Sequence, residues 1–160
     1  MFTTMLPDAT SSFAKAGFSA GTTTTLSAAN AQNWSIKGVG YTKALGANEA
    51  TPTLDSNTGL AFRPVPVGSG SEFTLCRDAA GTLRAVQGQI VTLDANNLFV
   101  NRPQMAPIPD TLCPIGAVTV KVGTTGSAWT FGVSNFSGPP TGVVFVFTDI
   151  AGGLPDRPVA

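Results

Sequence analysis

The side chains that usually perform acid–base or nucleophilic chemistry are scarce in this sequence. Histidine is absent from all 160 residues, which removes the commonest general base and the usual nitrogen ligand of zinc. Asp110 and Asp149 each stand beside a threonine, and they would form an acid–base pair only if the fold brought them together. No spacing indicates this, and Asp110 next to Pro109 is typical of a turn. The sequence therefore predicts a protein that is not an enzyme.

Short motifs with some likeness to ligand sites are better explained as turns. Residues 94–97 (DANN) offer alternating oxygen ligands like the start of a calcium loop, but the later glycine and glutamate are missing. The glycine pairs Gly68/Gly70 and Gly152/Gly153 have neither a strand-to-helix context nor the following lysine of a phosphate-binding loop. We therefore predict no metal site and no cofactor.

Two cysteines, Cys76 and Cys113, each stand among apolar residues. A nucleophilic cysteine would lack a base here, and two isolated cysteines without a signal peptide are more often buried reduced thiols than a disulfide. Residues 1–13 lack the basic start and continuous apolar core of a secretory signal. No apolar run approaches the roughly 18–20 residues of a membrane span. We expect reduced cysteines and assembly in a cytoplasm.

Composition favours an interaction protein. Charged residues make up 11% of the chain, against about a quarter in an average soluble domain. Lys plus Arg equals Asp plus Glu at nine each, so no global charge attracts nucleic acid or acidic lipid. A mean hydropathy of +0.21 implies weakly solvated surface, which is tolerated when copies of the chain or a shell cover it. The expected partners exclude nucleic acid and membrane.

Alternating patterns place the elements of the fold. Residues 115–122 alternate around Val118 and Val120, and residues 128–133 alternate around Trp129 and Phe131, which predicts a hairpin across the turn at 123–127. Residues 72–77 and 82–93 predict a second hairpin, whose turn at 78–81 is closed by a left-handed glycine.

The remaining pattern predicts a single all-β domain. About eight to ten short strands with turn signals between them indicate a sandwich or barrel, jelly-roll-like, over residues 22–160. Residues 143–150 are apolar on both faces, which predicts a strand inside the sandwich or beneath a partner chain. Because this strand needs more cover than one small sheet provides, we expect a homo-oligomer and favour a trimer over a dimer.

Residues 1–21 are interpreted as an N-terminal arm. A short helix is compatible with residues 11–17, since Ser11 or Ser12 can cap it and Gly17 can end it. The large apolar residues are too sparse for a core and too many for a solvated tail. We predict that they contact a partner, and they are Phe2, Met5, Leu6, Phe13 and Phe18.

The aromatic residues leave one alternative open. Exposed Trp and Tyr on a β-sandwich stack on sugar rings, so Trp34, Tyr41 and Trp129 are compatible with a carbohydrate-binding module. Core packing is the favoured interpretation, because Trp129 belongs to an alternating run.

The chain also resembles a known group in its overall texture. A Thr/Ala/Gly-rich arm, the segment IPDTLCPIGAVTVKVG followed by WTFGVSNF, and the tail LPDRP resemble small structural proteins of tailed bacteriophage virions. Among these the chain is most similar to capsid decoration (cement) proteins. The resemblance implies a homo-oligomeric β protein on the virion surface, bound to the major capsid protein and stabilising the lattice against internal DNA pressure. A receptor- or carbohydrate-binding module of a tail fibre or baseplate is the alternative.

Overall fold

The computed structural model describes residues 9–44 and 46–151. These residues form a sandwich-like single domain of three antiparallel sheets, with no helix among them. The all-β prediction and its sandwich alternative are thus confirmed. In chain order the strands are β1 Ser11–Ser12, β2 Phe18–Ala20, β3 Thr25–Ala28, β4 Gln32–Ile36, β5 Val39–Lys43, β6 Glu49–Ala50, β7 Ser69–Arg77, β8 Leu83–Gln87, β9 Val91–Thr92, β10 Cys113–Val122 and β11 Val143–Asp149.

The largest sheet has five strands in the order β11-β10-β7-β8, with β9 also paired to β7. Val118 of β10 lies between Phe73 of β7 and Phe147 of β11. Since successive side chains of a strand point to opposite faces, these residues define an inner face that packs on the core. Their sequence neighbours define an outer face.

Two three-stranded sheets, β1-β4-β5 and β2-β3-β6, complete the domain. The β4–β5 hairpin turns at Lys37 and Gly38, whose φ angles are +49° and +77°. A two-residue hairpin turn of this type needs positive φ at both central positions. These sheets do not reproduce the two four-stranded sheets of a jelly roll.

The core is built from aromatic side chains against the inner face of the large sheet. Phe131 stacks on Phe73 with ring centroids 4.8 Å apart, and Phe62 meets Phe131 edge-on at 4.9 Å. Trp129 is fully buried and contacts Phe136 at 5.1 Å. Such pairs contribute beyond the area that they bury, so this cluster fixes how the sheets pack.

The predicted hairpin between residues 115–122 and 128–133 is wrong in its second half. β10 pairs with β7 and β11 instead. Trp129 forms a single bridge to Val65, and the chain then turns, because Gly132 has a φ of +75° and Ser134 N–H donates to the Thr130 carbonyl at 2.8 Å. A left-handed glycine cannot continue a strand.

The second predicted hairpin is confirmed. β7 pairs with β8 across a turn in which Gly81 has a φ of +76°. The return segment, predicted as one strand over 82–93, is divided into β8 and β9. Gly88 lies between them, tight against the carbonyl oxygens of Gln104 and Glu72, so crossing backbone replaces regular pairing there.

The helix considered for residues 11–17 is wrong. Ser11 and Ser12 form β1, paired with Ser35 and Trp34, because a one-turn helix has a costly nucleus whereas the edge of β4 offers ready hydrogen bonds. β2 likewise joins β3. The described part of the predicted arm therefore belongs to the sheets of the body, and residue 21 does not mark a break.

β11 is an edge strand rather than a strand inside the sandwich. Its inner face packs on the core, whereas its outer face includes Val144, 54% exposed, and Val146, 37% exposed. The domain therefore covers the inner face of β11 and leaves its outer face exposed, whereas cover on both faces was predicted.

Candidate interaction surface

The outer face of the large sheet is buried except near its β11 edge. Ala117 and Thr119 on the outer face of β10 are only 3% and 7% exposed. Phe99 lies so close above Gly70 that a Cβ there would overlap its ring. The Gln104 carbonyl accepts the N–H of Gln89 at 3.0 Å, and Pro103 beside it is buried. Residues 99–104 therefore cross the outer face and cover the side of the sheet formed by β7, β8 and β9.

The uncovered part is the β11 outer face, which we define as Val144, Val146 and Thr148. In register these lie beside Lys121, Thr119 and Ala117 of β10. Lys121 Nζ is 4.8 Å from the centre of the Phe99 ring, so a cation borders the apolar strip. Among the described residues β11 has a paired strand on one side only, so the backbone groups of its other edge can bond another chain.

The inner face of β11 anchors the strand in the core. Phe145 contacts Trp129 and Phe136 at centroid distances of 5.2 and 5.1 Å. The exposed valines therefore belong to a strand anchored in the core rather than to a loose segment. A fixed apolar strip is suited to docking, since little order is lost on binding.

Glu72 is a buried acid next to this face. Glu72 pairs across strands with Thr119, and Thr119 pairs with Val146 on its other side. Glu72 is 2% exposed. Its Oε2 atom accepts no hydrogen bond from the described residues. Burial raises the pKa of Glu72, and the positive charge of Arg102 opposes that rise.

The five residues predicted to contact a partner differ in where they lie. Phe13 is 64% exposed and is available to a partner. Phe18 is 8% exposed and packs on Gly116 in the chain's own core, so its assignment as a partner contact is corrected. The bulge between Pro114 and Gly116 brings β10 under the Phe18 ring. Phe2, Met5 and Leu6 lie outside the described residues.

The carboxylates considered for chemistry are engaged in separate places. Asp110 pairs with Lys37 at 2.8 Å, and Asp149 Oδ1 accepts the N–H of Gly17 at 2.8 Å. Asp94 Oδ1 accepts the N–H groups of Asn96 and Leu98 at 2.8 and 2.9 Å, which confirms a turn at residues 94–97. Across the described ranges, no three potential metal ligands cluster.

A hollow of about 510 Å³ has two carboxylates in its wall, and both have structural partners. Asp55 accepts the N–H of Asn57 at 2.7 Å and of Gln87 at 2.9 Å. Asp78 binds Arg84 at 3.0 Å. Burial works to raise the pKa of Asp78, but hydrogen bonds from Thr82 and Arg84 outweigh it and leave the pKa below its usual value. Asp78 therefore lacks the raised pKa of a general acid.

The two cysteines are neighbours across strands but point apart. Cys113 lies opposite Arg77, whereas Cys76 lies opposite Pro114, so the two thiols are on opposite faces of the sheet. Burial raises the pKa of Cys76, and the nearby Cys113 raises it further. Burial also raises the pKa of Cys113, to about 11. Both side chains are therefore poor nucleophiles.

The aromatic residues considered for sugar binding lie mostly inside the domain. Trp129 is fully buried and Trp34 is 1% exposed, which confirms core packing for both. Tyr41 is half-buried and stacks on Trp34 at 5.8 Å. Neither tryptophan presents a face to a sugar.

An unpredicted polar cluster joins all three sheets. We call it the Arg77 cluster, formed by Arg77 of β7, Glu49 of β6, Gln32 of β4 and Lys43 of β5 around the Gly81 carbonyl. The buried Arg77 guanidinium donates to both Glu49 oxygens at 2.6 Å and to Gln32 Oε1 at 2.8 Å. Lys43 Nζ also contacts Glu49, at 2.6 Å. Sequence inspection missed it because Glu49 stands in a segment with loop composition and its partners are distant in the chain.

Comparison with known proteins gives no relative. The chain matches no protein-family model and has no significant match among curated proteins or solved structures. Within residues 9–44 and 46–151, no helix has the length and apolar character needed to cross a bilayer.

Proposed function

We propose that this protein is a non-enzymatic structural component of a tailed-phage virion, a decoration protein on the outside of the capsid lattice. The observation that carries the proposal is the β11 outer face, a rigid apolar strip on an edge strand. Monomeric soluble proteins usually protect such edges with charges, prolines or covering segments. An edge left apolar fits a chain that is covered in its assembled state.

The β11 outer face serves as a contact with sister subunits. In a cyclic trimer each copy uses two different patches, one to each neighbour. Val144 and Val146 supply one patch. The edge of β11 beside them, which has no partner strand among the described residues, supplies backbone hydrogen bonds. Lys121 at its border adds a charge that selects the register of the contact.

The placement of charges agrees with this role. The Arg77 cluster uses two cations and one carboxylate to hold the sheets together, and Asp78 and Arg84 close a turn. These charges stabilise the body instead of forming a reactive centre. A shell-binding protein requires a stiff body of this kind more than it requires a pocket.

Reconstitution on particles tests the function. Particles of the virus whose genome encodes this sequence are prepared without the protein, and purified protein is added back. We expect it to co-sediment to saturation at a fixed ratio to the major capsid protein and to raise the temperature at which DNA is released. Failure to sediment, or binding only at the tail, would contradict decoration and favour the receptor-binding alternative.

The subunit contact is tested separately in solution. Val144→Lys combined with Val146→Lys places two charges on the β11 outer face, and light scattering should then report monomers where the wild type associates. Val133→Lys is the control, because Val133 is 68% exposed and does not belong to the β11 outer face. If the double variant associates like the wild type, the contact lies elsewhere.

A further inference from the structure

An apolar groove lies between β1 and the segment that leads into β10. Its volume is about 610 Å³, within the range of about 300–1,000 Å³ of sites that bury small ligands. It is lined by Thr10, Ser11 and Ser12 of the β1 segment and by Met105, Ile108 and Leu112 of the segment before β10. Lys37 and Asp110 form a salt bridge at 2.8 Å that ties the tip of the β4–β5 hairpin to the segment before β10.

Both residues of β1 line the groove. β1 is the outer strand of its sheet, so one of its sides has no paired strand within the described residues. An extended segment placed in the groove would bond this edge while its side chains contact the apolar wall. The groove therefore fits a short strand-forming peptide with several large apolar side chains.

The described part of the chain begins near this groove, at the tip of the β4–β5 hairpin. Ser12 pairs with Trp34 and Ser11 with Ser35, and the Ala9 carbonyl accepts the N–H of Gly38 at 3.1 Å. Going back along the chain, β1 thus runs toward the tip of the β4–β5 hairpin and reaches it at Ala9. The first described residue, Ala9, therefore lies at the hairpin tip and does not line the groove.

We propose that the groove binds residues 1–8 of a sister subunit. This segment carries three large apolar residues, Phe2, Met5 and Leu6, that match the apolar wall. Eight extended residues reach at most about 29 Å, which is far enough to cross a subunit boundary. The inference rests on the self-association within the proposed function and names the second contact that a cyclic oligomer needs besides the β11 outer face.

Directed disulfide formation between chains tests the inference. Met5→Cys and Ile108→Cys are made as two separate full-length proteins, mixed and oxidised under native conditions. Only a contact between chains can link them, because neither protein carries both introduced thiols. The buried native cysteines stay out of reach, and Met5→Cys mixed with Val133→Cys is the control.

We expect a linked dimer from the first mixture and little from the control. Peptide 1–8 added in excess should reduce the linked product at least fivefold, and deleting residues 2–8 should weaken self-association at least tenfold. Circular dichroism of each variant verifies that the body remains folded.

Two results would overturn the inference. One is the absence of a linked dimer in the first mixture. The other is complete linkage within single chains when one protein carries both substitutions, which would place the segment in its own groove. Linked dimers together with undecorated particles would refute decoration while leaving the groove assignment in place, so the two proposals fail separately.

Discussion

Replacing Glu49 with alanine should be among the most destabilising single changes in the domain. Arg77 has no exposed side-chain surface, and Glu49 supplies two of its hydrogen bonds at 2.6 Å. Without the carboxylate, a buried guanidinium keeps only Gln32 and the Gly81 carbonyl as partners.

The size of the loss follows from this geometry. Breaking a buried ion pair by removing one partner costs about 3–5 kcal/mol. Because the Glu49 side chain is 21% exposed and water can enter, we expect the lower end, about 3 kcal/mol. For a chain of this length that corresponds to a fall in Tm of roughly 6–12 °C.

Lys43→Met is the matched control. Lys43 contacts the same carboxylate, but its side chain is 34% exposed, so its loss should cost no more than about 1 kcal/mol. Thermal unfolding followed by circular dichroism measures both variants. A Glu49→Ala protein that melts within 2 °C of the wild type, or no lower than Lys43→Met, would refute the role of the cluster.

The same residue predicts an acid-dependent loss of stability. Burial works to raise the pKa of Glu49, but hydrogen bonds from Arg77 and Lys43 outweigh it and hold the pKa below the usual 4.5. A lowered pKa contributes stability above pH 4.5, and this contribution disappears as the pH falls through the folded-state pKa. The Tm difference between wild type and Glu49→Ala should therefore shrink in acid.

Three further predictions concern other parts of the structure. Glu72→Gln should raise the Tm at pH 7. Because the pKa of Glu72 is raised, ionisation of this side chain destabilises the fold above pH 4.5, and the gain from glutamine should vanish in acid. An equal gain in Tm at all pH values would contradict this. Gly70→Ala should cost about 1–3 kcal/mol by overpacking against Phe99, whereas Gly40→Ala, with open space at its Cβ position, should unfold like the wild type. Alkylation at pH 8 without reductant should add no groups to the native protein and two after denaturation, at Cys76 and Cys113; a denatured protein without adducts would indicate a disulfide.

The sequence predicted the elements whose signals are local. The hairpin of β7 and β8 follows from strict alternation and a Gly81 turn, both visible within a short window. The strand at 115–122 was also predicted, since its valines alternate. In both cases neighbouring residues decide the backbone conformation.

Partners and edges were not predictable in this way. β10 pairs with β7 and β11, because Trp129 and Phe131 gain more by filling the core than by extending a hairpin, and the left-handed Gly132 ends their run. The apolar character of β11 indicated cover on both faces, yet its outer face is exposed in the structure, with Val144 and Val146 at the edge of the sheet. The Arg77 cluster depends on residues brought together from three sheets, which no local pattern encodes.

Counting copies of the protein in purified virions tests the central claim most directly. Quantitative mass spectrometry with the major capsid protein as the internal reference gives the number per particle. A decoration protein should be present in hundreds of copies, at a fixed ratio to the capsid subunit. A few copies per particle would instead indicate a tail component, and its absence from purified virions would contradict a structural role.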